Sequence, residues 1–523
     1  MNATEGATEG AARPGGREWA GLVVLMLPVL LISVTVTVLF FALPSLTAEL
    51  EPSGAQQLWI VDIYAFLLAG LLIPMGNLGD RIGRRRLLLL GAAAFGATSA
   101  VAAYAPTAEL LIAARALQGA AAATLMPPTL ALIRVMFTEP RRLQAAIAVW
   151  ASVFTLGSVV GPIIGGWLLE HFWWGAVFLI NVPVMAVLLV LGPILLPEYR
   201  DPSPGRFDLV STAWVLLAAL PAVYAVKKAA EQDYGPQTLA AALVGVLFAV
   251  LFARRQRRLD TPMLDLGLFR SKAFSVSLIT AAVAVFALVG TFYFITQYLM
   301  SVLEMRPLTA GLMTLPTAVS SVAGSLLGAA ATRWFRPGYV IGSGMLLGAA
   351  GFVLVARLGT AADLPLLFAG LLLLGWGIGS VQALASNMVV SSAPPEKAGS
   401  ASGLFESATE FGQALGAAVL GSIGVAVFRS VLADGLPAGL SAEQGAAASE
   451  TLGGALAVAG ELAGGAGAAL AEAARSAYVA GMQTAAWSGA VTMLVMGVLA
   501  FINLRRARAG EEAPAEPAAD PAR

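Results

Sequence analysis

Cysteine is absent from the 523-residue chain, which removes disulfides, zinc thiolates and thiol nucleophiles from consideration. Histidine occurs once, at His171, and only 12% of residues are charged, against 58% that are hydrophobic. The two signs cancel, so there is no electrostatic case for a nucleic-acid partner. No G-x-x-x-x-G-K-[ST] phosphate loop, metal-ligand cluster or nucleophile constellation occurs either. Those absences argue against an ATP-driven pump, an intramembrane hydrolase or any other enzyme, and leave neither metal nor cofactor to expect.

What the chain has is hydrocarbon, with a mean hydropathy of +0.81. A bilayer-crossing helix takes about 20 apolar residues, and runs of that length recur between short polar joints. Helices satisfy their own backbone groups in lipid, whereas barrel strands would alternate polar and apolar residues. The spacing predicts an all-α polytopic membrane protein of 14 transmembrane helices, with cores near 20–44, 57–76, 87–105, 110–133, 145–169, 175–196, 209–226, 238–253, 273–298, 308–330, 339–357, 364–390, 399–428 and 482–504. The first run is too long for the apolar part of a signal peptide and is read as a retained helix 1. Assigning alternate joints to opposite sides puts most of the 31 Lys and Arg on one side, with Arg115 alone inside a helix. Both termini are therefore expected in the cytoplasm. Arg far outnumbers Lys and Ala and Gly are abundant, which fits a GC-rich bacterial genome and hence a bacterial cell (inner) membrane.

The expected organisation is a cytoplasmic tail at 1–18, a first bundle at 19–208, two linking helices and a basic loop at 209–272, a second bundle at 273–504 and a disordered tail at 505–523. The Ala/Gly/Ser/Glu-rich segment 429–481 reads as an extracellular helical hairpin, because Glu450, Glu461, Glu472 and Arg475 disfavour a further span.

The joint after helix 2 reads Gly76-Asn-Leu-Gly-Asp80-Arg81-Ile-Gly83-Arg84-Arg85-Arg86. A cytoplasmic loop needs basic residues, but that need explains neither the glycines nor Asp80. The stretch resembles the signature loop of the major facilitator superfamily. The resemblance implies two six-helix bundles, here with two extra linking helices, and a cytoplasmic gate formed by Gly76, Asp80, Arg81, Gly83 and Arg84. Helix 4 carries Arg115-Ala-Leu-Gln118-Gly119. A mid-membrane Arg costs at least ~2.5 kcal/mol unless satisfied, so Arg115 is either a structural group bonded to carbonyls or, as the family's R-x-x-Q-G element implies, part of proton transfer.

Helix 5 contains Gly157-Ser-Val-Val-Gly161-Pro162-Ile-Ile-Gly165-Gly166. Glycines at i, i+4 and i+8 permit close helix contact, and Pro162 should bend the helix. The string is similar to the element that marks antiporters in this superfamily. Phe178-Leu-Ile-Asn181-Val-Pro183 resembles its helix 6, although Trp173-Trp174-Gly175 stands where a basic residue is usual. The helix 2 entrance Gln57-Leu-Trp59-Ile-Val-Asp62-Ile-Tyr64, with Ala148-Val-Trp150, Pro262-Met-Leu-Asp265 and Phe269, resembles fourteen-helix drug:proton antiporters that export quaternary ammonium compounds. These usually carry an acid in helix 1, where this chain has Thr35-Val-Thr37.

Three carboxylates fall inside the predicted spans: Asp62, Glu406 and Glu410. The two Glu are four apart on one helical face, where desolvation and like charge suit them to take up a proton and lose it to an arriving cation. Proton coupling is assigned to Asp62, Glu406, Glu410 and Arg115. Substrate contact is assigned to the three carboxylates with Tyr64, Trp150, Phe154 and Phe405, the aromatics through cation–π contact worth ~0.5–2 kcal/mol each. Trp59, Tyr293, Phe294 and Trp376 are further aromatic candidates, and His171 reads as an interfacial residue. The implied function is export of lipophilic cationic drugs, dyes or antiseptics, driven by a proton gradient. Expected partners are small molecules, protons and membrane lipid, and the expected state is a monomer. Export of one endogenous antibiotic, lipid or metabolite, or a non-transporting scaffold or sensor with this fold, are the alternatives.

Overall fold

The computed structural model describes residues 16–200, 208–230, 234–259, 262, 264, 266–393, 398–437, 440–462 and 465–504. The predicted disordered tail, most of the N-terminal tail, and Met263 and Asp265 lie outside these residues. The first bundle comprises α1 (Gly16–Leu50), α2 (Gly54–Ile82), α3 (Arg84–Ala103), α4 (Ala108–Ala123) with α5 (Met126–Met136), α6 (Pro140–His171), and α7 (Ala176–Leu179) with α8 (Asn181–Leu195). Then come α9 (Leu209–Ala230) and α10 (Pro236–Gln256). The second bundle holds α11 (Lys272–Gln297), α12 (Pro307–Ala331), α13 (Pro337–Val355), α14 (Leu364–Ser391), α15 (Ala398–Gly435) and α18 (Gly465–Leu504), with the short helices α16 (Ala442–Glu450) and α17 (Leu452–Glu461) inserted before α18. The pairs α4/α5 and α7/α8 each make one span. Among the described residues thirteen spans result, and α6, bent by 40° between Phe154 and Val159, makes a fourteenth. The bend falls on the carbonyl four residues before Pro162, where the proline ring would clash with a straight helix.

Local chemistry sets the helix starts. Ser53 and Gln56 form a capping box on α2, Thr107 caps α4 and Asp363 caps α14. Proline opens α6, α10, α12 and α13, where its missing N–H costs nothing. Hydropathy marks lipid rather than helix, so several helices outrun their apolar cores: α15 continues to Gly435, and α18 is one 40-residue helix from Gly465 rather than a span starting at 482.

The loops that carry Arg81–Arg86, Arg134, Arg254–Arg258 and Arg333–Arg336 lie at one end of the bundles, here termed the basic end. At the opposite end the bundles meet along three seams: α1 with α11, α2 with α15, and α6 with α12. The last runs close because glycine meets backbone. A Cβ on Gly166 would lie 2.6 Å from Leu308 Cα, and one on Gly311 2.4 Å from the Pro162 carbonyl oxygen. Phe40 of α1 meets Phe292 of α11 edge to face at 6.0 Å. On α15, Arg429 pairs with Glu450 at 2.5 Å, and the same carboxylate oxygen accepts from Gly54 N at 3.0 Å at the start of α2. The segment after α15 thus ties both bundles together at this end. His171 stacks on Trp167 at 5.0 Å at the end of α6.

The α9–α10 hairpin packs on α2 and α15, where a Cβ on Gly70 would lie 2.6 Å from Leu216 Cδ2. Its basic end is locked by Asp208, which accepts from Arg255 at 2.9 Å and from the Ser211 hydroxyl at 2.5 Å. Burial pushes the Asp208 carboxyl up, but the hydrogen bonds from Arg255 and Ser211 outweigh it and hold the pKa below the ordinary carboxylate value. Its stabilisation is therefore complete at neutral pH and is lost as pH falls through the lowered value. Asp208→Asn is expected to lower the melting temperature by about 1–3 °C at pH 7. The gap to wild type should narrow as pH falls below the ordinary carboxylate range, and a gap that does not change with pH would assign the effect to packing.

Candidate functional site

Between the bundles lies a cavity of about 360 Å³. Val36 and Phe40 of α1, Phe154 of α6 and Val285, Val289 and Phe292 of α11 give it an apolar wall. Facing them are Thr314, Thr317, Ser321 and Ser325 along one face of α12, Gln382 of α14, and Glu410 and Gln413 of α15. The cavity is closed at the Phe40/Phe292 end and extends along α12 and α14 towards the basic end. Glu410 is the one carboxylate on its wall among the described residues, and Gln413 Nε2 donates to it at 3.3 Å.

Asp62 sits beside this cavity rather than in it. With Tyr64 and Arg115 it lines a small recess of about 20 Å³, which shares Val36, Phe40, Val289 and Gln413 with the main wall. Asp62 and Arg115 are each 1% exposed. Arg115 is satisfied in two ways. Its Nε donates to the Ile60 carbonyl at 3.1 Å and its Nη1 to Gln118 Oε1 at 2.7 Å, while its guanidinium lies 4.3 Å from the centre of the Tyr64 ring. From Gln118 the chain of polar groups continues: Ser99 Oγ accepts from Gln118 Nε2 at 2.7 Å and from Asn181 Nδ2 at 3.2 Å, and Thr35 Oγ1 donates to Asn181 Oδ1 at 3.3 Å. Thr35 thus ends a buried path that links α2, α4, α3 and α8 to α1 at the place where the resembled exporters carry an acid. Ser99 belongs to no motif and has no sequence signal beyond being a hydroxyl in an apolar run.

The other residues singled out in the sequence are dispersed. Phe154 is on the wall, and Trp150 stacks on it at 6.3 Å while donating to Thr129 Oγ1. Glu406 lies one turn nearer the basic end, outside the wall. Phe405 packs against the cluster of Leu268, Phe274, Leu278 and Val389 instead. Tyr293 and Phe294 are buried at the α11 seam, Phe294 against Tyr478 at 5.9 Å. Gly157, Gly161 and Gly165 face α1, meeting Ser33, Thr37 and Val38, whereas Gly166 faces α12 across the seam. One motif therefore packs helices within a bundle and between bundles.

At the basic loop, Asp80 pairs with Arg84 of its own loop at 2.7 Å, and Arg84 stacks on Tyr199. Gly83 has φ +111°, and a Cβ there would lie 2.5 Å from Glu198 Oε1. Glu198 accepts from Arg85 N at 3.2 Å and faces the Arg85 and Arg86 side chains, so it balances charge and caps the start of α3. Each of these ion pairs stays within the first bundle. Gly76 rests against Pro127 of α5. The Glu198-Tyr199 clamp could have been suspected only from an acid adjoining a basic joint.

The profile of the Major Facilitator Superfamily matches residues 25–417. The chain is 46% identical to the multidrug efflux pump LfrA of Mycolicibacterium smegmatis, over 95% of this chain and 99% of that protein. It is 35% identical to the methyl viologen resistance protein SmvA of Salmonella typhimurium, over 94% and 99%. It is also 33% identical to the tetracenomycin C resistance and export protein of Streptomyces glaucescens, over 96% and 94%. Among solved structures, it superposes on a bacterial homologue of the human lysosomal transporter Spinster in an inward-facing conformation, with TM-score 0.65, 17% identity and coverage of 96% and 98%.

Proposed function

The chain belongs to the major facilitator superfamily, and from that premise we propose that it exports lipophilic cations, including drugs, dyes and antiseptics, from the cytoplasm in exchange for protons. The observation that carries this reading is Glu410, a lone carboxylate on the wall of a largely apolar cavity between two bundles. A carboxylate in such a place is occupied either by a proton or by an organic cation. One site that holds the two in turn couples their movements in opposite directions when the bundles rock.

The wall suits the body of an amphiphile, with Phe40, Phe154 and Phe292 offering ring faces. Asp62 and Arg115 line a recess that borders the cavity at Gln413, the residue that donates to Glu410, and Asp62 is the second proton-carrying group of this reading. The basic end faces the cytoplasm of a bacterial inner membrane, so the seams at the opposite end are shut on the outside and the state is inward-facing, with Asp80 held by Arg84. The protein works as a monomer. Relatives named for multidrug efflux and for methyl viologen resistance support the breadth of substrates.

The test is ethidium flux in proteoliposomes under an imposed proton gradient. Gradient-dependent accumulation with counterflow of protons supports antiport. Absence of flux across a panel of lipophilic cations would overturn it in favour of a dedicated exporter, a reading that the tetracenomycin C relative keeps in view.

A further inference from the structure

At the end opposite the basic loops a second cavity, of about 530 Å³, lies between the end of α1 and the turn after it on one side and α16 and α17 on the other. The two short helices pack on α15 and α18 and so belong to the second bundle. Four carboxylates line this cavity: Glu51 on the α1 side, and Glu443, Glu450 and Glu461 facing it from the insert. Arg429 balances Glu450. Among the described residues no Lys, Arg or His lines the cavity, and Glu51, Glu443 and Glu461 are exposed.

Thr47 independently marks the place of a ligand. It lines the cavity from the last turn of α1, is 3% exposed, and its hydroxyl has no hydrogen-bond partner within the protein. A buried helical threonine ordinarily bonds the carbonyl one turn back, and a hydroxyl left unpaired costs free energy unless something else completes it. One turn on, Glu51 closes α1 with its N–H on the Thr47 carbonyl at 3.1 Å and with φ +46°, a left-handed position that usually falls to glycine.

The wall limits what fits. Among the described residues no three acids come together as the ligands of one metal ion would. Glu443 and Glu450 stand seven residues apart on α16, about 10 Å along a helix. Between the acids the lining is aliphatic, with Ala48, Pro52, Ala457 and Val458, and it offers no aromatic ring to a flat dye. Charges so spread ask for a ligand whose own charges are spaced along a hydrocarbon chain. We propose that this cavity is an allosteric site for aliphatic polyamines and that its occupation holds this end of the molecule shut. Carboxylates of the two bundles repel one another across it, which favours parting of the bundles. A polyamine pairs with both walls and gives an N–H to Thr47, and it does so only while the walls face each other, so its binding shifts the population towards closure. A monovalent amine meets one wall and gains nothing from closure. The inference goes beyond the efflux reading and does not depend on it.

The chain has no cysteine, so the full-length purified protein can carry one spin label on each bundle at this end through two introduced cysteines. The probes are spermidine, propylammonium and Ca²⁺, with binding measured by calorimetry at neutral pH and about 0.15 M salt, where unspecific attraction between exposed charges is screened. Spermidine is expected to bind at least about tenfold more tightly than propylammonium, the sum of three partly exposed ion pairs, and to raise the closed fraction in the label distances. Glu51→Gln/Glu443→Gln/Glu461→Gln should erase the difference, and Thr47→Val should weaken spermidine by about threefold, the share of one hydrogen bond. Unchanged thermal melting without ligand reports that the variants are folded. Equal affinities for the two amines, spermidine binding that survives the triple substitution or leaves the distances unmoved, or Ca²⁺ acting as well as spermidine would each overturn the proposal. Because neither readout uses ethidium flux, failure of the antiport reading would leave both intact.

Discussion

Glu410→Gln is expected to reduce gradient-driven ethidium efflux by at least about thirtyfold, the effect of removing one partner from a buried, hydrogen-bonded charge pair. The substitution keeps the shape and the Gln413 contact but can neither bind a proton nor balance a cation. A second signature separates this role from a structural one. If one proton leaves as one cation binds, wild-type affinity rises by up to about tenfold per pH unit over the titrating range, by linkage. Affinity in Glu410→Gln should be flat with pH. Binding of ethidium to wild type and variant between pH 5.5 and 8.5 gives both slopes, and equal slopes would assign the coupling elsewhere, with Asp62 first in line. Glu406→Gln is expected to keep most of the flux, because Glu406 lies a turn away from the cavity wall.

Gly166→Val is expected to abolish transport by a different route, with substrate binding preserved. Its Cβ would lie 2.6 Å from both Leu308 Cα and the Pro307 carbonyl oxygen, which are backbone atoms of the other bundle and cannot swing aside. Overpacking of this kind costs about 1–3 kcal/mol. The cost is incurred only while the end opposite the basic loops is shut, so it acts on the equilibrium between conformations and shifts their populations by about 5- to 150-fold. A disulfide engineered across this seam should form readily in wild type under oxidation and slowly in Gly166→Val. The outcome that counts against this account is a variant that cross-links as wild type does yet loses flux. Gly311→Val, whose Cβ would meet the Pro162 carbonyl oxygen, should behave alike.

The spans are legible in the sequence because hydrocarbon thickness imposes a length on each. The signature loop, Arg115 and the helix 5 glycines are legible because each breaks a local rule that lipid would otherwise enforce. Other features depend on how one bundle is turned towards the other. Helix α11 is apolar on nearly every face, so nothing in its pattern says that Val285, Val289 and Phe292 look into the cavity. Phe405 illustrates the opposite error. Five residues from Glu410, it points about 140° away around α15 and joins the packing of its own bundle. The break at Thr124–Leu125 within the fourth span was announced by Pro127-Pro128 but masked by a continuous apolar run. Gln382, Gln413 and the α12 hydroxyls carry the polar side of the cavity, yet polar residues of that size are common in membrane helices and gain meaning only from convergence.

The hairpin of α9 and α10 gives the molecule two unlike flanks. It covers the line where α2 meets α15, while on the other flank, among the described residues, no helix from outside the bundles lies over α6 and α12. Amphiphiles dissolve in the leaflet before they reach any pump, so a lipid-borne molecule that drifts against this protein meets a shuttered side and an unshuttered one. To such a molecule the line between the bundles is covered on one side of the protein and bare on the other.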